Sequence, residues 1–242
     1  MTSPTTTDQP ASPDGPRPPR LIIFDVNETL SDMSVLQGRF GEVGAPPAMA
    51  ATWFAGLLRD GFALTVTGAN PDFADLAATS LTAMFRSAGL DDVEGAAERV
   101  MQGFSSLSLH PDVVEGVQAL AAQGIRLVTL SNGATTVAQG LFERAGLSSS
   151  FERLLSVQDA PAWKPAQAAY QYALDVCAVE PDEAMLVAVH PWDTHGARRA
   201  GLGSAFINRT GATYPSYFDR PDVEATSLVE LAAQLGRRSA SP

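Results

Sequence analysis

Apolar residues fall along this chain in two periods. Short, mostly apolar runs at 21–24, 125–130, 154–157, 184–189 and 204–207 predict strands, and those at 21–24 and 184–189, apolar throughout, suit strands buried on both faces of a parallel sheet. Between them the spacing is helical. Trp53, Phe54, Leu57 and Leu58 fall at i, i+1, i+4 and i+5, and Phe73, Leu76, Leu81 and Phe85 make a second stripe before Gly89. Val113, Val114, Val117 and Leu120 form another, with Gly124 at a C-cap position, and Val137, Leu141 and Phe142 one more, closed by Gly146. Helices are also predicted over 166–176 and 195–200, the latter stopped by Gly201, while Leu228, Leu231 and Leu235 mark a last one.

Strands separated by helices of this length imply an α/β fold, a Rossmann-like parallel sheet core with helices on both faces. The mostly helical stretch after the first strand predicts a small helical cap over 33–106, inserted into a core made of 21–32 and 107–236. There is no internal repeat.

Composition narrows the function classes. With 45% hydrophobic and 18% charged residues among 242, the chain is ordinary globular material. Its 27 acidic against 16 basic residues, a formal charge of -11, argue against a nucleic-acid or anionic-membrane partner and require any anionic substrate to meet a local positive site. Cys177 is the only cysteine, which excludes a disulfide framework and a cysteine metal cluster and suits a reducing compartment. Residues 1–20 hold six prolines among Thr, Ser, Asp and Gly and read as a disordered tail without the charged start and apolar middle of a secretory signal. With no long apolar span either, the expectation is a soluble, cytoplasmic protein.

Candidate chemistry sits where the strands end. Asp25 follows the first strand directly and leads into Val26-Asn27-Glu28-Thr29-Leu30; Ser131-Asn132-Gly133 follows the second; Trp163-Lys164-Pro165 and His190-Pro191-Trp192-Asp193 follow later ones. Each taken singly also reads as a turn, a surface amine or a helix cap. Four such groups on one edge of an open α/β sheet project into one crevice, outside the carboxyl ends of the strands.

In that order and spacing the four motifs resemble the haloacid dehalogenase superfamily, over essentially all of the chain after the tail, and the helical insertion matches the position of that superfamily's cap. The resemblance is closest to the type II 2-haloacid dehalogenases. Phosphatases of the superfamily carry a second Asp two residues after the nucleophile and a further acidic residue near the fourth motif to hold Mg²⁺. Here the first position is Asn27, which cannot move a proton at neutral pH, and the fourth motif offers only Asp193. Halide needs no proton to leave.

The resemblance therefore implies a metal-independent hydrolase without a cofactor, in which Asp25 displaces halide from C2 of a small 2-haloalkanoic acid and water then cleaves the aspartyl ester to give a 2-hydroxy acid. Asp25 matches the nucleophile, Thr29 and Ser131 the hydroxyls beside it, Lys164 the paired amine and Asp193 the acidic group. Asn132, Tyr170 and Trp192 match further site residues, and Val26 and Asn27 the turn that faces the substrate. Lys164 is expected to keep Asp25 ionised and, with Ser131 and backbone N–H groups, to hold the substrate carboxylate.

Two departures stand out. A halide-accepting Arg commonly follows a Trp in the first cap helix of those enzymes, whereas Trp53 is followed by Phe54; Arg39 and Arg59 are the candidate replacements, and Trp53 is expected at the cap side of the site. The Ser-x-Asn before the Trp-Asp pair is here Ala188-Val189-His190, so His190 reads either as an activator of the hydrolytic water or as a packing residue. His195 is expected to face solvent. Competing functions are opening of a strained cyclic amino acid such as azetidine-2-carboxylate by the same ester chemistry, Mg²⁺-dependent phosphate release, and a silent binding protein. A homodimer through an exposed cap helix is a further expectation.

Overall fold

The computed structural model describes residues 18–239, so residues 1–17 of the expected tail lie outside the described part. The chain opens with β1 (Leu21–Phe24) and β2 (Ser31–Asp32), passes through α1 (Val35–Glu42), α2 (Met49–Val66), α3 (Phe73–Ser87) and α4 (Val93–Gln102), and returns in β3 (Ser108–Leu109). There follow α5 (Val113–Ala122), β4 (Arg126–Ser131), α6 (Thr135–Ala145), β5 (Arg153–Ser156), α7 (Gln167–Cys177), β6 (Ala184–Ala188), α8 (Pro191–Arg199), β7 (Gly203–Ile207), β8 (Val223–Ala225) and α9 (Leu228–Ser239).

Six strands pair in the order β5-β4-β1-β6-β7-β8, every pairing parallel. The central strands β1 and β6 are buried along their whole length, which accounts for their unbroken apolar runs. From β1 the chain moves outward through β4 to β5, then crosses back to β6 and moves outward the other way. Right-handed crossovers in opposite directions place helices on both faces and make the gap between β1 and β6 the switch point where such sheets open a crevice. Asp25 follows one of those two strands and His190 the other.

The helical insertion leaves and rejoins the core at one place. Ser31 pairs with Leu109 and Asp32 with Ser108 in an antiparallel two-residue ribbon. Inside the insertion, Phe40, Trp53, Phe85 and Phe104 form an aromatic centre with ring separations of 5.3–6.1 Å. Asp72 starts α3 by accepting hydrogen bonds from the backbone N–H groups of Ala74 and Asp75, and Asp92 caps α4 through Gly95. The insertion rests on the loop before α7: Asn70 donates to the carbonyls of Val157 and Ala160, Trp163 donates to the carbonyl of Pro71, and Phe73 stacks on Trp163 at 5.7 Å.

Several elements lie beyond the sequence expectation. β2 and β3 are two residues long, too short for any period, and β8 is three. α1 and α4 carry only two to four buried residues each among Gly, Gln, Glu and Arg, so neither presents a long apolar stripe. α8 begins at Pro191 rather than at 195, because proline fills the first helical position without breaking a hydrogen bond.

Candidate active site

Asp25 is 4% exposed at the end of β1, and its backbone N–H still donates to Val187 across the sheet. Its two carboxylate oxygens have different partners. Oδ1 accepts from Lys164 Nζ at 3.0 Å, and Oδ2 accepts from the Thr29 hydroxyl at 2.6 Å. The Thr29 oxygen in turn accepts the backbone N–H of Val189, tying the turn after β1 to the loop after β6. That turn is tight enough to put Glu28 at φ +62°, the left-handed region that side-chain-bearing residues seldom occupy.

Lys164 is fully buried and bridges two carboxylates, since its Nζ also donates to Oδ2 of Asp193 at 2.6 Å. Asn132 fixes the lysine backbone from both sides, donating to its carbonyl and accepting from its N–H. Tyr170 donates to Oδ1 of Asp193 at 2.6 Å. Ser131 closes β4, and its hydroxyl oxygen accepts the Gly133 N–H while Ser156 donates to the Gly133 carbonyl, holding the Ser-Asn-Gly turn in shape.

This chain of contacts sets the ionisation states. Burial works against the charge on Asp25, but the charges of Lys164 and His190 and the hydrogen bonds from Thr29 and Lys164 outweigh it, so its carboxyl lies below the usual range. For Asp193 burial dominates the attraction of Lys164 and the proximity of Asp25 adds to it, leaving that carboxyl above the usual range. Burial would strip the proton from Lys164; the two carboxylates reverse this and raise its value. Asp25 is thus held toward its ionised form, with a lysine held toward its charged form against it.

The predicted residues separate into two groups. Asp25, Thr29, Lys164, Asp193, Tyr170 and Asn132 form one hydrogen-bonded network, and His190 joins its edge with Nε2 3.6 Å from Asp25 Oδ2. Trp192 stacks on His190 at 5.0 Å and meets Phe62 of α2 at 4.9 Å. Val26 and Asn27 are buried in the turn, where Asn27 faces Gly133. The expectation for Trp53 and Arg39 is corrected. Trp53 is 1% exposed inside the insertion, its indole N–H donating to Ser80, because its ring completes the aromatic centre. Arg39 pairs with Glu42 along α1 instead of facing Asp25, and Arg59 pairs with Asp60 at the surface. His195 is about one-third exposed, near Asp219.

Next to the Asp25 turn, a cavity of about 410 Å³ is lined by Glu28, His190, Phe54, His110, Val189 and Arg209 among others. Glu28, which sequence reasoning passed over, lies with Oε2 3.6 Å from His190 Nε2. Its place inside the Asp-x-x-x-Thr turn was the available signal. His110 is also new: its Nε2 meets the Glu28 carbonyl at 2.9 Å.

The donors do not suit a divalent cation. Both oxygens of Asp193 are taken by Lys164 and Tyr170, and the described residues contain no group of three His, Cys, Asp or Glu able to converge on one ion.

The family model for haloacid dehalogenase-like hydrolases matches residues 19–201, well over half the chain. The chain belongs to that hydrolase family. This haloacid dehalogenase-like hydrolase is 31% identical over 214 residues to (S)-2-haloacid dehalogenase 4A of Burkholderia cepacia, with 88% of this chain and 93% of that protein covered. It is 30% identical over 203 residues to haloacetate dehalogenase H-2 of Moraxella sp. strain B, covering 83% and 91%. Among solved structures, a dehalogenase with an intermediate complex superimposes with a TM-score of 0.83 at 30% identity, over 90% of this chain and 97% of that one. No helix among the described residues is long and apolar enough to cross a membrane.

Proposed function

We propose that this hydrolase displaces halide from C2 of a small 2-haloalkanoic acid, giving a 2-hydroxy acid through an ester on Asp25. The observation that carries the reading is the pairing of an ionised, Lys164-bound Asp25 with Asn27 at the place where a proton-transferring acid would stand. Such a site supplies a nucleophile and leaves an alkoxide without a proton donor at that position. The haloacid substrates named for the relatives in Burkholderia and Moraxella are the same chemistry.

In the first step an Asp25 oxygen attacks C2 in line with the carbon–halogen bond, and the electron pair leaves with halide. Lys164 holds Asp25 ionised, and with the Ser131 turn it provides the positive, hydrogen-bonding environment for the substrate carboxylate. In the second step water attacks the ester carbonyl; the 2-hydroxy acid leaves and Asp25 is restored. Thr29 and Lys164, which each hold one carboxylate oxygen, stabilise the charge that develops there.

In the same reading residues 33–106 act as a cap domain over a core of 21–32 and 107–236, closing the site through Phe62 and Trp192. The single buried cysteine fits a reducing cytoplasmic setting. The solvent face of α2 around Ala51, Ala55, Gly56 and Arg59 is the surface on which a homodimer would form, which analytical ultracentrifugation reads directly.

The test is a single turnover of excess enzyme in ¹⁸O water. The label is expected in the Asp25 carboxylate, with unlabelled product. Labelled product in the first turnover overturns the ester route.

A further inference from the structure

Two buried donors at neighbouring strand ends have no acceptor among the described residues. Phe24 pairs with Thr129, so β1 and β4 run out side by side into the turns that carry Asn27 and Ser131. Asn27 is 7% exposed; its backbone carbonyl meets His190 and its backbone bridges to Ser31, but among the described residues its side-chain amide makes no hydrogen bond. Ser131 is 3% exposed; its oxygen accepts the Gly133 N–H, and its own hydroxyl hydrogen has no acceptor among the same residues. Buried polar groups are nearly always paired, so two unmatched donors near a nucleophile call for a partner from outside the chain.

Both donors converge on one place. A Cβ built on Gly133 would stand 3.5 Å from Asn27 Nδ2, 3.5 Å from Ser131 Oγ and 3.7 Å from the ring of Phe73. Those are ordinary contact distances, and Gly133 does not lie in the left-handed region, so neither a clash nor backbone strain requires glycine here. What its missing side chain provides is room between a carboxamide, a hydroxyl and an aromatic ring. The walls of this slot are fixed: Phe73, from the insertion, stacks on Trp163, the residue before Lys164, and Asn132 pins the Lys164 backbone. Lys164 Nζ uses two of its three hydrogens on Asp25 and Asp193, which leaves one. Arg39 and Arg59 are engaged with Glu42 and Asp60.

Resting on the ester mechanism above, we propose that Asn27 selects the substrate's acid group: its amide N–H and the Ser131 hydroxyl donate to one carboxylate oxygen in the slot that Gly133 leaves open, while the remaining Lys164 hydrogen serves the other. A site made only of donors matches both oxygens of a carboxylate and sets a donor against the amide nitrogen of the corresponding carboxamide. Asn27 thereby tells carboxylate from carboxamide, through binding and not through proton transfer. An acid at position 27 would place one carboxylate against another.

The experiment compares the full chain with Asn27→Asp and Gly133→Ala. Dissociation constants for propionate and propionamide, which lack a leaving group, are read by ligand-observed NMR. Values of kcat and KM are measured on 2-bromopropionate, with circular dichroism as a check on folding. The unaltered chain is expected to bind propionate at least about tenfold more tightly than propionamide. Asn27→Asp is expected to weaken propionate by about 10–100-fold, the loss of one hydrogen bond to a charged group, while leaving propionamide within about threefold. Gly133→Ala, whose methyl group fills the slot, is expected to raise KM by about tenfold or more and to act on KM more than on kcat. Equal losses for both ligands in Asn27→Asp overturn the selecting role, as does an unaltered chain that binds the two alike or a Gly133→Ala variant with unchanged KM. A chain that shows the expected binding but neither releases bromide nor carries substrate mass on Asp25 overturns the ester mechanism instead.

Discussion

Lys164 Nζ stands 3.0 Å from Oδ1 of Asp25, with the lysine side chain entirely shielded from water. A buried cation of this kind is tolerated because Asp193 takes its second hydrogen bond, and removing it leaves two buried carboxylates facing each other. Lys164→Met is therefore expected to lower stability by about 3–5 kcal/mol, the usual consequence of breaking a buried pair from one side. Urea unfolding checks this. On haloacid, kcat/KM is expected to fall by about 10²–10³, the loss seen when one oriented donor is removed from developing charge.

The acid limb of the rate profile follows from the same pair. In the proposed mechanism Asp25 attacks as the carboxylate, and its carboxyl lies below the ordinary value of 3.8 because Lys164, His190 and Thr29 outweigh burial. In the unaltered enzyme Asp25 consequently stays active down through the usual carboxylate range, and its protonation cuts activity only below it. In Lys164→Met the largest influence left is burial, which acts upward, so the acid limb of kcat/KM should move toward neutral pH. A limb that does not move would show that Lys164 is not what keeps Asp25 ionised.

Tyr170→Phe should separate positioning from chemistry. Its hydroxyl donates to Oδ1 of Asp193 at 2.6 Å and is remote from solvent, so the variant strands a lone pair on a buried carboxylate at a cost of about 1–3 kcal/mol. The freed carboxylate can pull Lys164 away from Asp25. The expected result is a lower urea midpoint and a fall in kcat with little change in KM. A KM effect alone would instead put Tyr170 in contact with substrate.

Gly61 is where α2 crosses the ring of Trp163, and a methyl group built there overlaps the indole. Gly61→Ala has to push helix and ring apart, costing about 1–3 kcal/mol of overpacking strain, while helix propensity on its own favours alanine. A thermal melt should show net destabilisation. An unchanged or higher Tm would mean that the insertion moves on the core without resistance.

The parallel sheet was readable because β1 and β6 are buried on both faces and spell that out in unbroken apolar runs, with β4 mostly apolar and buried beside them. Asp25 directly after β1, Ser131 at the end of β4 and Asp193 in the first turn of α8 after β6 were picked out because polar groups stand there at the carboxyl edge of the sheet. Lys164 lies farther out, eight residues after β5, and was picked out as one of the four strand-following groups, while its pairing with Asp25 came only from the resemblance. Trp53 and Arg39 were misplaced for a common reason: a helical stripe tells which face is apolar but not whether that face meets the site or the insertion's own centre. Phe40, Phe85 and Phe104 claimed the indole, and Glu42, one turn along, claimed the guanidinium. Glu28 escaped notice because its position beside His190 arises from a left-handed backbone and from a histidine 162 positions away, neither of which local composition reports.

The two-residue ribbon of Ser31–Asp32 with Ser108–Leu109 gives the molecule a modular joint. Both crossings of the chain pass through one clasp a few residues from Asp25, so Asp25, its hydrogen-bonding partners Thr29 and Lys164, and Asp193 behind Lys164 all lie on the core side of it. A foreign helical segment grafted between 32 and 108 would leave the Asp25 network intact and replace the insertion's whole share of the cavity wall, Met33, Ser34, Leu36, Gln37, Ala50, Ala51 and Phe54, which makes that clasp the natural seam for swapping selectivity between members of the family.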